Sequence, residues 1–67
     1  MNIRLLRQRS SLSQDDLSSR AGLAVRHLQK LEAGEVNVTL KTLAALAVAL
    51  EVDPQVLLQE PQRDKGR

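Results

Sequence analysis

Apolar positions along the chain fall into five short groups, each spaced as in a helix that hides one face and wets the other. In the first, Ile3, Leu6 and Arg7 share one side of a helix from Ile3 to about Arg9, with Asn2 placed to cap it. Ser13 caps a second helix that runs to about Arg20, and Asp15 and Asp16 lie in its first turn, where carboxylates favour the positive end of the helix dipole. Gly22 is placed to turn the chain left-handed after that helix. A third helix spans about Val25 to Ala33 and is stopped by Gly34. Thr39 caps a fourth from Leu40 to Leu50, and Asp53-Pro54 opens a fifth with a capping residue followed by proline at the first helical position. The pattern predicts an all-α domain over residues 1–60. The stretch 61–67, "PQRDKGR", has no apolar residue to anchor it and is expected to be a disordered basic tail.

The stretch "SQDDLSSRAGLAVRHLQKLEAG" holds the informative part of this pattern. At about 100° per residue, Ala24, Leu28 and Leu31 form one narrow stripe on the third helix that is expected to face the core. Arg26, Gln29, Lys30 and Ala33 cluster opposite, with Val25 and His27 on the flanks. This outer face is rich in hydrogen-bond donors and holds no acid. A merely solvated helix in this chain would mix signs, as the second helix does.

Composition narrows what such a face can serve. A chain of 67 residues without cysteine or aromatic side chains makes one small domain with an aliphatic core and little room for an enclosed active site. Disulfides and thiolate metal sites are excluded, and no rings are available to stack on single-stranded bases. The longest apolar run, Leu43 to Leu50, is too short to span a bilayer, and "MNIRLLRQRS" lacks the apolar stretch of a signal peptide. The expectation is a cytoplasmic, nucleoid-associated protein with no membrane partner. The net charge of +2 is unevenly spread: +3 over residues 1–10 (Arg4, Arg7 and Arg9), −3 over residues 11–62 and +2 over residues 63–67. Basicity is therefore local, as an anion-binding face on a mildly acidic body requires.

The order and spacing of "IRLLRQRSSLSQDDL", "AGL", "LQKLEAG" and "TLKTLAALAVALEVDPQVLL" resemble the helix-turn-helix domain of the Cro and lambda-repressor (XRE) family, from Ile3 to Leu58. The spacing has a physical cause. Leu17 and Ala21 on the second helix must meet Leu28 and Leu31 on the third, and Gly22 permits the tight turn that sets one helix across the other. The resemblance implies a five-helix lambda-repressor-like fold, with helices 2 and 3 as the motif and helix 3 in the DNA major groove.

Carried over position by position, the resemblance makes Val25, Arg26, Gln29 and Lys30 base-reading residues. Arginine can bond guanine twice, glutamine can pair with adenine, and valine can pack on a thymine methyl. Phosphate contacts are expected from Gln14, His27, Asn37, Thr39 and Lys41, while Glu35 weakens them in a loop, "EVNVT", where basic residues are common in the family. Arg7 and Glu32 match a salt bridge that joins the first helix to the end of the third. Ala24 stands where a capping Ser or Thr is usual, Ser18 where alanine is, and Val56 where an acid often is.

Val56, Leu57 and Leu58 spread over about 200° of helix, so not all of them can face their own core. The resemblance turns Leu57 inward. Val56 and Leu58, with Ala45 and Ala49 as small exposed neighbours on the fourth helix, are then the expected homodimer interface.

An enzyme is not expected. Asp15 and Asp16 diverge by about 100° around their helix and cannot share a substrate. The one histidine has no second histidine or cysteine to complete a metal site, and no serine has a recognisable base. No cofactor, metal or small-molecule ligand is expected. The reading is a sequence-specific regulator of transcription, bound as a homodimer to double-stranded DNA at a near-palindromic operator. Its alternative is a protein-interaction module, such as an antitoxin, that offers the same scaffold to a toxin or to RNA polymerase. The acid-free outer face of helix 3 favours DNA.

Overall fold

The computed structural model describes residues 2–58. Within them the chain forms five helices, α1 (Ile3–Arg9), α2 (Gln14–Ala21), α3 (Val25–Glu32), α4 (Leu40–Leu50) and α5 (Pro54–Leu58), with no strand among the described residues. The tail at 61–67 lies outside them. Helix α2 runs one residue further than the sequence pattern indicates, and α3 ends at Glu32 with Ala33 as its cap.

Each helix sends one large aliphatic side chain to the centre: Ile3, Leu17, Leu28, Leu46 and Leu57 are the largest fully buried residues. Leu31, Leu43, Ala47 and Leu50 extend this core, and Leu6, Leu12, Ala21, Leu23, Val38 and Val52 pack around it. Burying such a side chain contributes about 1.5–3 kcal/mol, so the core holds the fold without any aromatic ring. Helix α2 packs on both α3 and α4, while α4 also packs on α5. The Asn2 N–H donates to the Leu57 carbonyl at 2.9 Å, which joins the start of α1 to α5.

Helix starts follow the sequence signals with two exceptions. The Ser13 hydroxyl accepts from the Asp16 N–H and the Asp16 carboxylate accepts from the Ser13 N–H, each at 3.0 Å, a reciprocal capping box. Thr39 caps α4 by accepting from the Thr42 N–H at 3.1 Å, and Asp53 accepts from the Gln55 N–H at 2.9 Å. Asn2, expected to cap α1, makes no side-chain cap bond. Its backbone, at φ −107° and ψ 30°, lies outside the extended conformation that aims a cap oxygen at the first turn. Its Oδ1 is buried without a partner among the described residues. Ala24, expected in the core stripe, is exposed, because it is the N-cap of α3 and precedes the first turn that Leu28 belongs to.

Helix ends share one device. After α2, the Leu23 N–H donates to Ser18 O and the Gly22 N–H to Ser19 O, with Gly22 at φ 71°. This is a Schellman ending, and it makes the turn of the helix-turn-helix. The same pair of bonds ends α3 at Gly34, and also α1 at Ser11 (φ 58°) and α4 at Glu51 (φ 60°), two residues that bear a Cβ.

The capping box makes the fold sensitive to acid. Hydrogen bonds from the Ser13 backbone N–H, and then from its hydroxyl, hold Asp16 below the ordinary carboxyl value of 3.8. A carboxyl depressed by folding stabilises above its unfolded pKa and loses that contribution as pH falls through the folded one. The stability advantage of wild type over Asp16→Ala is therefore expected in full near neutrality, shrinking below about pH 4 in chemical denaturation. A gap that stays constant down to about pH 2 would contradict this role.

Candidate nucleic-acid interface

The hydrophobic stripe of α3 fixes which of its residues reach solvent. With Leu28 and Leu31 buried, Arg26, Gln29 and Lys30 are exposed on the opposite side, and Val25 and His27 are half-buried at its margins. Neither Arg26 nor Lys30 forms a salt bridge among the described residues. Both cations are thus uncommitted, on a helix surface whose only carboxylate, Glu32, is turned away.

Glu32 is held at the foot of this surface, its side chain 1% exposed. Arg7 grips it with two donors, Nε to Oε2 at 2.7 Å and Nη2 to Oε1 at 3.2 Å, and donates from Nη1 to the Leu12 carbonyl at 2.9 Å. This fork fixes α3 to α1 and to the loop before α2. Arg4, largely exposed, stands 3.9 Å from Oε1. Gln14, in the first turn of α2, donates from Nε2 to Glu32 Oε1 at 3.1 Å and accepts at Oε1 from Gln29 Nε2 at 3.3 Å. Four side chains on three helices therefore form one chain of bonds from Arg7 to the outer face of α3. The link through Gln14 is absent from the sequence pattern, since no spacing rule joins residues so far apart.

The loop after α3 lies at the same end of that helix. Asn37 and Lys41 are exposed. Thr39 is also exposed, with its hydroxyl engaged by the Thr42 N–H and hydroxyl. Ser18 is buried, and its hydroxyl donates to the Asp15 carbonyl at 3.0 Å, which satisfies it inside its own helix.

On the far side, the expected interface residues are placed unequally. Leu57 is fully buried, Leu58 is 54% exposed, and Val56 and Ala45 are half-buried. Ala49, expected at that interface, is buried. It belongs to the core cluster, because α4 is covered by α2 and α5 together and this leaves a different strip uncovered. That strip is Leu40, Ala44 and Val48, with Leu40 and Val48 at 84% and 77% exposure. Its spacing of i, i+4, i+8 is the signal that would have marked it.

Among the described residues no helix is long and apolar enough to cross a membrane, and no group of His, Asp or Glu side chains is arranged to hold a metal ion.

A helix-turn-helix family model matches residues 3–57, the span from the start of α1 into α5. The chain belongs to the helix-turn-helix family of the Cro and lambda-repressor (XRE) type. Members of this XRE family are DNA-binding regulators of transcription. Among solved structures, the chain is similar to the restriction-modification controller protein C.AhdI from Aeromonas hydrophila. The TM-score is 0.82 and the identity 36%, over 84% of this chain and 85% of that one. No curated protein matches the chain at a significant level. Within the XRE fold, α2 and α3 are the motif, and the exposed Arg26, Gln29 and Lys30 stand on its second helix.

Proposed function

We propose that the protein is a sequence-specific regulator of transcription that reads double-stranded DNA with α3 in the major groove. The observation that carries this reading is the outer face of α3. It presents two uncommitted cations and an amide, while its one acid is buried beneath by Arg7. Arg26, Gln29, Lys30 and Val25 are the base-reading set, and His27, Asn37, Thr39 and Lys41 flank it as backbone contacts. The likeness to a restriction-modification controller supports a regulatory task of that kind. The protein is not an enzyme in this reading and needs no cofactor.

Each phosphate neutralised by a lysine or arginine releases counterions, so affinity for duplex DNA is expected to fall by a power law with added salt. Lys41→Ala is expected to weaken all duplexes alike and to lower that slope by about one. An affinity that stays flat between low and physiological salt would remove the DNA reading.

One α3 covers too few base pairs to specify an operator, so the regulator acts as a two-fold dimer on a near-palindromic site. Half-sites then lie about 34 Å apart, one turn of DNA. Val56 and Leu58 of α5 are the proposed contact, with Ala45 and its helix neighbour Val48 on α4 in place of the buried Ala49. Leu58→Lys should leave helical content intact, shift sedimentation toward monomer and move operator binding to much higher protein concentration. Wild-type protein that sediments as a monomer at tens of micromolar yet binds its operator without cooperativity would exclude the dimer.

A further inference from the structure

The first ten residues of the chain hold Arg4, Arg7 and Arg9, and only Arg7 has a task so far, the grip on Glu32. We propose that Arg4 is a DNA-backbone contact, whose guanidinium clasps a phosphodiester at the edge of the groove that α3 reads. The inference rests on the DNA reading above and deepens it.

Saturation of Glu32 is what leaves Arg4 available. Each oxygen of an ionised carboxylate offers two lone pairs. Those of Oε1 are taken by Arg7 Nη2 at 3.2 Å and Gln14 Nε2 at 3.1 Å, while Oε2 accepts from Arg7 Nε at 2.7 Å. Arg4 Nε approaches Oε1 only to 3.9 Å, beyond the roughly 3.2 Å of an N–H···O bond. The Arg4 side chain is 64% exposed and makes no hydrogen bond among the described residues. The Arg7 charge offsets that of Glu32, so the net positive charge at this junction is carried by Arg4.

The same oxygen sets its position. Gln14, which shares Oε1 with Arg4, meets Gln29 on the outer face of α3 with its other end. Arg4 therefore stands at the margin of that face, where DNA lying against α3 presents its backbone. The resemblance assigns a phosphate to Gln14, yet both ends of its amide are engaged within the protein, and the donors of Arg4 beside it are free. A planar guanidinium matches two phosphate oxygens at once. The attraction to Glu32 keeps the side chain near the groove without a hydrogen bond that must break when phosphate arrives. Arg9 supplies a control of equal charge: five residues further on, it is exposed too but lies about 140° around α1 from Arg4.

The test is equilibrium binding of the full chain, over a range of salt, to an operator obtained by selection and to a random duplex. Arg4→Gln should weaken binding to both by one common factor, because a phosphate contact carries no direct base information. Its salt slope should be shallower by about one for each half-site bound. Arg4→Lys and Arg9→Gln should both keep the wild-type slope. The thermal midpoint of Arg4→Gln should match that of wild type, since an exposed ion pair adds little stability. A neutral methylphosphonate placed at each operator phosphate in turn locates the contact: at one phosphate per half-site it should weaken wild type and leave Arg4→Gln unaffected. An unchanged slope for Arg4→Gln, with or without a lower midpoint, would overturn the proposal, as would an equal loss of slope in Arg9→Gln. A changed base preference at constant slope would overturn it too, by making Arg4 a support for Glu32 and the reading face. Wild-type affinity that ignores salt on every duplex would remove the DNA reading itself, and the proposal with it.

Discussion

Arg7→Leu should destabilise the domain by about 3–5 kcal/mol, because it leaves the Glu32 carboxylate buried without its main partner. A chain of this length is held by roughly 3–10 kcal/mol, so much of the variant should be unfolded at ambient temperature. Adding Glu32→Leu should recover most of the loss, since leucines replace the pair by apolar packing and no buried charge remains. Urea unfolding of the two variants, followed by circular dichroism, reads the difference between their midpoints. Equal midpoints would mean that the stranded charge is not the source of the loss.

Arg26→Ala should do the opposite: it should leave stability within about 0.5 kcal/mol and damage recognition. Arg26 is exposed and forms no salt bridge among the described residues, so the fold does not depend on its charge. A bidentate contact to guanine provides about 1–3 kcal/mol of discrimination, and a dimer makes the contact twice. Affinity for the preferred operator should therefore fall by roughly 2–6 kcal/mol, while duplexes already lacking the guanine lose little. Titration against a set of operators mutated one base pair at a time separates the two. Loss by the same factor on every duplex would show that Arg26 contacts the backbone instead.

What was legible in the sequence is what short spacing encodes. The outer face of α3 follows from Leu28 and Leu31 three residues apart, and the turn follows from Gly22, placed to go left-handed directly after α2. The Ser13–Asp16 box is also local, within one turn, though only its Ser13 half stands out as a signal. The reciprocal bonds need side-chain geometry to be seen. Glu32 illustrates the limit from the other side. Its angle on α3 puts it at the edge of the core stripe, and its burial comes from Arg7, 25 residues away on another helix. The bond between Gln14 and Gln29 spans 15 residues for the same reason. On α4 nearly every position is apolar, so periodicity alone leaves the buried side open, and Ala49, expected on the outside, belongs to the core cluster. Ser11 and Glu51 carry no glycine to advertise their left-handed conformation; the packing of Leu12 and Val52 against the core accompanies it.

The most direct test of DNA reading by α3 is selection of bound sequences from a random duplex pool at physiological salt, with the wild-type chain. The expected result is enrichment of an inverted repeat whose half-sites lie about one helical turn apart, with a guanine in each that selection with Arg26→Ala no longer enriches. A folded wild-type chain that enriches no sequence, or an Arg26→Ala variant that selects the wild-type site unchanged, would contradict it.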